Sequence, residues 1–294
     1  MRPGTMMFQL ILLAGTTALL ILSMVYPFLP GNYDALAVGI SNMAQGVGIV
    51  GLPLVPLGLL WLIAELWRLG RRRRNLAVKG SGFYFALIAV VVATLVSIAL
   101  ALIGVFSAGV SLGIVALAGW LVALRRLIPW VRALRQTPPA HFNLAPLYLI
   151  VLPLTALLIP LNLATPITTM SRERAISMSA EIIAALENYQ RLHGGYPNTL
   201  IATWPDYSPQ VVGIEQYHYV QQGEAYNLIF QQPRFLLDDF GAREFVVYNP
   251  LDEHMIISHT SWILVIDPSV LRRSQGWYAS RRTAALHWKY FLFD

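Results

Sequence analysis

Glu65 is the one acidic side chain inside an apolar run of this 294-residue chain, and an ionisable group at such depth is a candidate for ion or proton handling. Arg68 follows it by three residues, about one helical turn, near the end of the run. Pairing with that arginine, or contact with water, is the expected structural role. Two glycine patterns in the apolar half imitate chemical sites. Gly46-Val47-Gly48-Ile49-Val50-Gly51 has the spacing of a dinucleotide fingerprint, which works only between a strand and a helix N-terminus. Here it sits within an apolar helix, and close helix packing or a kink shared with Pro53 and Pro56 is expected. Gly109-Val110-Ser111-Leu112-Gly113 has the spacing of a nucleophile elbow but lacks its strand-turn-helix context and its His and Asp partners. The same residues form G-x-x-x-G, a small face on which helices approach closely.

The other candidate groups lie in the C-terminal half. His254 and His259 are five residues apart, which places them on opposite faces of a strand. No H-E-x-x-H or His-x-His spacing occurs. His193 ends a predicted helix, where its charge complements the helix dipole; His218 alternates with Tyr217 and Tyr219, and His287 adjoins Trp288. Each reads as structural or exposed. The tail from Trp277 and Tyr278 through Arg281 and Arg282 to Trp288 and Tyr290 is aromatic and basic. It suits either a sugar- or partner-binding surface or a closing strand that buries its aromatics.

Elements that position these groups follow from composition. The chain is 56% hydrophobic and 12% charged, with mean hydropathy +0.56, too apolar for a soluble domain of this length. Five apolar stretches are long enough to cross a bilayer, at about 8–29, 44–67, 82–104, 107–127 and 144–164. The first is longer than a secretory signal core and lacks a cleavage pattern, so an uncleaved anchor is expected. The third and fourth are predicted to form a tight hairpin, and Pro146, Pro153 and Pro160 to kink the fifth.

Loop charges assign a side to each end of these spans. Arg71, Arg72, Arg73, Arg74 and Lys79 follow the second span, and Arg125, Arg126, Arg132 and Arg135 follow the fourth; both groups are expected in the cytoplasm. Leu124 to Arg135 reads as a basic helix lying along that interface. The segment from Pro30 to Met43 has no Lys or Arg and belongs outside. Residues 1–164 carry 11 Lys and Arg against two acids, whereas 165–294 carry 10 against 13. The basic excess therefore belongs to the membrane half and implies no nucleic-acid partner. With no cysteine in the chain, disulfides and thiolate metal sites are excluded.

Residues 166–294 form the second predicted domain, extracytoplasmic after five crossings from a cytoplasmic N-terminus. A helix is predicted over about 171–192, closed by His193-Gly194-Gly195. Strands follow: a hairpin across 217–230, then segments at 244–248, 255–258, 261–266 and 287–293. The expected fold is an all-α membrane domain (1–165) followed by an α+β domain of one long helix and an antiparallel sheet.

Within that domain Ala185, Leu186, Tyr189, Gly194, Gly195, Tyr196, Pro197, Leu200, Pro205 and Tyr207, with Tyr217 and Tyr219 beyond, form a pattern: helix end, Gly-Tyr-Pro, then a Tyr-x-Tyr hairpin. This stretch, about 172–230, resembles the type II secretion major pseudopilin and type IV pilin-like soluble domains. The leader, peptidase site and first-turn Glu of a pilin subunit are not seen around Leu144 to Pro166, where a polytopic domain stands instead. The resemblance thus implies a pilin-like fold used as a fixed domain. In that family a calcium ion can be held by acids in the C-terminal loops; the only acid pairs available for it are Asp238 with Asp239 and Asp252 with Glu253, and solvated turns are their other reading. No other cofactor is implied. The expectation is a non-catalytic protein of a bacterial inner membrane, in contact with the lipid bilayer and an envelope protein or secretion- or pilus-type component, in interaction, assembly or sensing. A small transporter whose outer domain is a receptor or gate is the alternative.

Overall fold

A computed structural model describes residues 3–74, 76, 82–136, 142–202, 208–238, 242–258, 262–265 and 279–293. Two compact units result: Met1–Met24 with Val38–Asn162, and Val25–Ala37 with Leu163–Asp294. Among the described residues there are seven α-helices and seven strands, and four helices, or five spans if one bent pair counts as a span, are long and apolar enough to cross a membrane.

The first unit is helical. α1 (Pro3–Val25) opens on a proline whose missing N–H costs nothing at a helix start. The predicted second span is two helices, α2 (Ala37–Val50) and α3 (Leu54–Arg73), bent by 60°. The break has a local cause: Pro53 has no N–H for the carbonyl of Ile49, and its ring crowds that carbonyl. α4 (Phe83–Ala108) and α5 (Val110–Gln136) form the predicted hairpin, but the turn falls on Gly109 rather than on 104–106. Gly109 has φ +93° and ψ 171°, a conformation essentially confined to glycine.

The remaining glycines of the two patterns permit close approach. A Cβ on Gly113 would lie 2.8 Å from the Ala101 carbonyl oxygen, and one on Gly48 would lie 2.6 Å from the backbone of Ala156 and Leu157. The basic stretch continues the fourth span, as its apolar spacing predicts. It is the last three turns of α5, and its Val131 and Leu134 are buried with Trp61 of α3 and Ala86 and Ala89 of α4. α6 (Ala145–Met178) stays one helix through Pro153, Pro160 and Pro166.

The second unit lays the end of α6 and α7 (Ala180–His193) on an antiparallel sheet. Helix therefore runs on past the predicted start at 171, interrupted only at Ser179, whose hydroxyl donates to the Ile176 carbonyl at 2.6 Å; such back-bonding bends helices. The strands are β1 (His218–Gln222), β2 (Ala225–Gln232), β3 (Arg243–Tyr248), β4 (Met255–Ser258), β5 (Trp262–Val265), β6 (Ala279–Arg282) and β7 (Trp288–Phe293). Five of them pair in the order β1-β2-β3-β7-β6, and β4 and β5 form a separate hairpin.

Ala175, Ile182 and Leu186 from the helices meet Tyr217, Leu228, Phe230, Val246, Tyr248 and Trp288 from the sheet. Residues of the opposite phase, Asn227, Ile229, Val247 and Phe291, are buried as well, so the central strands are covered on both faces. The segment after α1 belongs to this unit. Pro30 bridges Val211, the Asp34 amide donates to the Val212 carbonyl at 2.9 Å, and the Gly213 amide donates to the Pro27 carbonyl at 2.7 Å. Phe28 stacks on Phe235 with ring centroids 4.4 Å apart, and burying one such ring stabilises by about 2 kcal/mol.

Candidate functional site

Glu244, the second residue of β3, is fully buried. Its phase along the strand, shared with Val246 and Tyr248, turns it toward the helix, so its charge needs partners inside the fold. Arg172 of α6 donates to its Oε1 through Nε at 2.7 Å and Nη2 at 2.6 Å. Arg234 donates through Nη1 to its Oε2 at 2.9 Å and through Nη2 to Asp238 at 2.9 Å. The Arg172 guanidinium also lies 4.0 Å from the Tyr290 ring centroid, a cation–π contact. Gln232 donates to the Ser171 hydroxyl at 3.0 Å, a second tie between sheet and helix.

This network floors a cleft of 120 Å³, lined among others by Thr165, Thr168, Thr169, Arg281 and Tyr290. The Thr168 hydroxyl is buried there without a hydrogen-bond partner. Arg281 stands opposite Tyr290 in the β6–β7 pairing and is exposed; no carboxylate among the described residues pairs with it. Three arginines and two carboxylates leave the cleft one positive charge in excess, which suits a small anion or an acidic side chain.

No family model, curated protein or solved structure matches this chain. What the molecule can do must therefore be read from its own geometry.

The residues of the helix-end, Gly-Tyr-Pro and Tyr-x-Tyr pattern that are described lie together in the second unit. Leu186 is in the core beneath the sheet. Tyr189 stacks on His193 at 4.0 Å between centroids, and Gly194 caps α7 with φ +78°, its amide donating to the Gln190 carbonyl; Gly195 follows in the turn. The Tyr196 hydroxyl donates to Glu187 at 3.0 Å, that of Tyr219 to the Pro197 carbonyl at 2.6 Å, and that of Tyr217 to the Ala175 carbonyl. Burial pushes the Tyr217 and Tyr219 phenols up from the usual tyrosine range, as expected of hydroxyls that donate inside a fold. Pro205 and Tyr207 lie outside the described residues.

The aromatic and basic tail divides. Arg281 and Arg282 are exposed on β6, the terminal strand of the described sheet. Trp288 instead points into the core at 4% exposure, and Tyr290 is half-buried against Arg172. Trp277 and Tyr278 lie outside the described residues.

The acid pairs are separately occupied. Asp238 is held by Arg234, and Asp252 faces His287 at 3.5 Å. Glu253 is exposed, its amide donating to Asn249 Oδ1 at 2.9 Å; Asp239 is outside the described residues. No group of three or more His, Asp and Glu gathers for a cation among the described residues.

His254 is buried beside that loop, its Nε2 3.1 Å from the His287 carbonyl and its Nδ1 3.2 Å from Lys289 Nζ. Burial pushes its pKa below the usual histidine value, and the Lys289 charge adds to this. Nδ1 also lies 2.9 Å from the Asp252 carbonyl oxygen, so both ring nitrogens face carbonyl acceptors, whose contacts oppose the effect of burial without overcoming it. His193, too, is structural, its Nδ1 3.0 Å from the Tyr189 carbonyl; His218 is exposed and His259 falls outside the described residues.

In the helical unit Glu65 is buried and takes hydrogen bonds from Arg68 at 2.6 Å and Trp61 at 3.2 Å. Gly82, with φ +78°, closes over all three, and a Cβ there would lie 3.0 Å from Trp61 Nε1. Of the loop arginines, Arg71, Arg72 and Arg73 end α3 and Arg74 caps it. Arg125, Arg126, Arg132 and Arg135 lie on α5, with Arg135 over the Phe83 ring; Lys79 is outside the described residues.

The Arg172–Glu244–Arg234 network is the feature that spacing alone does not reveal. Its partners are 72 and 10 residues apart. One signal was present: a glutamate in the core phase of an otherwise apolar strand demands a buried cation.

Proposed function

We propose that this chain is a non-catalytic, five-span protein of a bacterial cytoplasmic membrane that holds a pseudopilin-like domain at the outer face for envelope interaction, assembly or sensing. The observation that carries the reading is the pairing of the first inter-helix segment with the C-terminal unit through Pro30, Asp34, Val211 and Val212. Hydrogen-bonded segments share one side of a bilayer, so the chain between 38 and 162 must cross an even number of times. α4, α5 and the first part of α6 make three crossings, and the bent α2–α3 pair supplies the fourth. The basic ends of α3 and α5 then fall on the opposite side, which positive-inside orientation makes the cytoplasm. A long helix followed by an antiparallel sheet packed on it supports the pilin-like reading.

Partner binding is assigned to β6. As the terminal strand of the described sheet, β6 has backbone groups with no strand partner among the described residues, which suits strand addition, and Arg281 and Arg282 add a preference for an acidic envelope or secretion-type component. The test is photocrosslinking in living cells from positions 281 and 282, with position 218 on the other terminal strand as control. A specific envelope protein captured at 281 or 282 and not at 218 is expected; an empty or identical yield at all three would overturn the assignment. Periplasmic reporter fusions after Asp294 are expected to be active, and cytoplasmic reporters silent.

A transporter is the second reading, favoured by the 60° break between α2 and α3, since broken helices line substrate paths in several transporter folds. Flux in proteoliposomes that disappears on replacing Glu65, with the fold intact, would promote it.

A further inference from the structure

Between α4 and α5 the helical unit has a groove of 470 Å³, a volume within the range of small-molecule sites. Leu87 and Val90 of α4 and Ile128 of α5 make its wall apolar, and Arg132 and Arg135 of α5 complete it. Residues 128, 132 and 135 are four and three apart, so they share one face of the helix. Val131 and Leu134, each one position away, are buried with Trp61 and Ala86 and pack the helices together at this end. Leu87 is 42% and Ile128 43% exposed, so the groove opens away from the packed side, toward the hydrocarbon of a bilayer.

Length places the arginines. α5 has 27 residues and runs about 40 Å, about 10 Å more than the hydrocarbon core of a bilayer. Arg132 and Arg135 lie in its last two turns, and Arg135 reaches the ring of Phe83, the first residue of α4. The pair therefore stands at headgroup depth.

Neither guanidinium can be neutralised from within the unit. Glu65 is the only Asp or Glu in residues 1–24 and 38–162, and it is held by Arg68 and Trp61. Arg132 and Arg135 are exposed; the Phe83 ring orients Arg135 without cancelling its charge. Two cations one turn apart on a helix repel each other, and an anion placed between them relieves this.

We propose that the groove binds one anionic phospholipid, its phosphate between Arg132 and Arg135 and an acyl chain along Leu87, Val90 and Ile128. The phosphodiester accepts charge-assisted hydrogen bonds from both guanidiniums, as acidic headgroups do in basic pockets between spanning helices. Free phosphate or bare hydrocarbon fills only half of such a site. A zwitterionic lipid brings its own cation, which the arginines repel. The inference rests on α4 and α5 crossing a membrane, and on the topology proposed above the lipid comes from the cytoplasmic leaflet.

The test is native mass spectrometry of the full chain released from detergent, titrated with dioleoyl-phosphatidylglycerol or dioleoyl-phosphatidylcholine. Retention of one phosphatidylglycerol per chain is expected, with phosphatidylcholine about tenfold weaker. Arg132→Gln with Arg135→Gln should weaken phosphatidylglycerol about tenfold. Arg73→Gln with Arg74→Gln, which removes the same charge from the exposed end of α3 outside the groove, should leave it unchanged. Glycerol phosphate, a headgroup without tails, should not displace the lipid. Equal retention of the two lipids, equal loss in the two double variants, or displacement by glycerol phosphate would overturn the proposal. Circular dichroism melts check the variants' fold, and the comparison of lipids on the unaltered chain needs no variant. Alkaline carbonate extraction reads the membrane crossing separately: a chain that stays in the membrane pellet yet prefers neither lipid overturns the lipid site alone.

Discussion

Glu244 neutralises two guanidiniums at once, and removing its charge leaves Arg172 uncompensated in the core and Arg234 with Asp238 alone. Glu244→Gln is expected to destabilise the C-terminal unit by about 3–5 kcal/mol, read as a lower urea midpoint of protease resistance. Replacing Glu244 and Arg172 together by Leu and Met should recover much of the loss, because the desolvation cost goes with the charges. His254 acts through pH. Its pKa is lowered in the folded state, so the unfolded chain binds more protons just below the ordinary histidine value near 6.5. Stability is therefore complete above that pH and declines as pH falls below it toward the folded value. His254→Gln should flatten this part of the profile in melting temperatures taken from pH 7.5 to 5. At this scale the sequence is informative about neighbours along the chain: Glu65 with Arg68, Gly194 as a cap and Leu186 as core are legible from helical spacing. Arg172 with Glu244 is not, since only the packing of α6 on β3 brings them together.

Gly109 and Gly113 look equivalent as the two ends of one small-residue motif, yet they do different work. Gly109→Ala should cost about 1–3 kcal/mol through backbone strain, with nothing within 4 Å for its Cβ to strike. Gly113→Val should cost a similar amount by separating α5 from α4, since its Cβ meets Val105 and the Ala101 carbonyl. A rescue experiment distinguishes the two causes: Val105→Ala should restore part of the loss in Gly113→Val and none in Gly109→Ala, measured by unfolding in mixed detergent. The spans were legible as apolar runs, and so was the β1–β2 hairpin from its turn. β6 was not, because Ala-Ser-Arg-Arg at a sheet edge has neither alternation nor β-branched residues. The α2–α3 break was legible only as a kink: composition registers a continuous apolar run, whereas Pro53 acts through a single hydrogen bond.

The chain's lack of native cysteine makes its topology directly testable. A Pro30→Cys, Val211→Cys pair, directly opposed in the bridge between the first inter-helix segment and the sheet unit, should oxidise to a disulfide that holds the two proteolytic fragments together on a non-reducing gel. Failure to crosslink in a folded chain would remove the parity argument for five crossings. By itself the sequence determined that this protein has apolar spans, how its loop charges are distributed, where its C-terminal helix ends and that strands follow. Those properties depend on composition and short-range periodicity, which the bilayer and the backbone read locally. Only the tertiary structure decided that residues 25–37 belong with the C-terminal unit and that Glu244 is shared by two arginines. These depend on which distant surfaces meet, and hydrogen bonds and ion pairs form wherever packing brings their atoms within about 3 Å, whatever the separation along the chain.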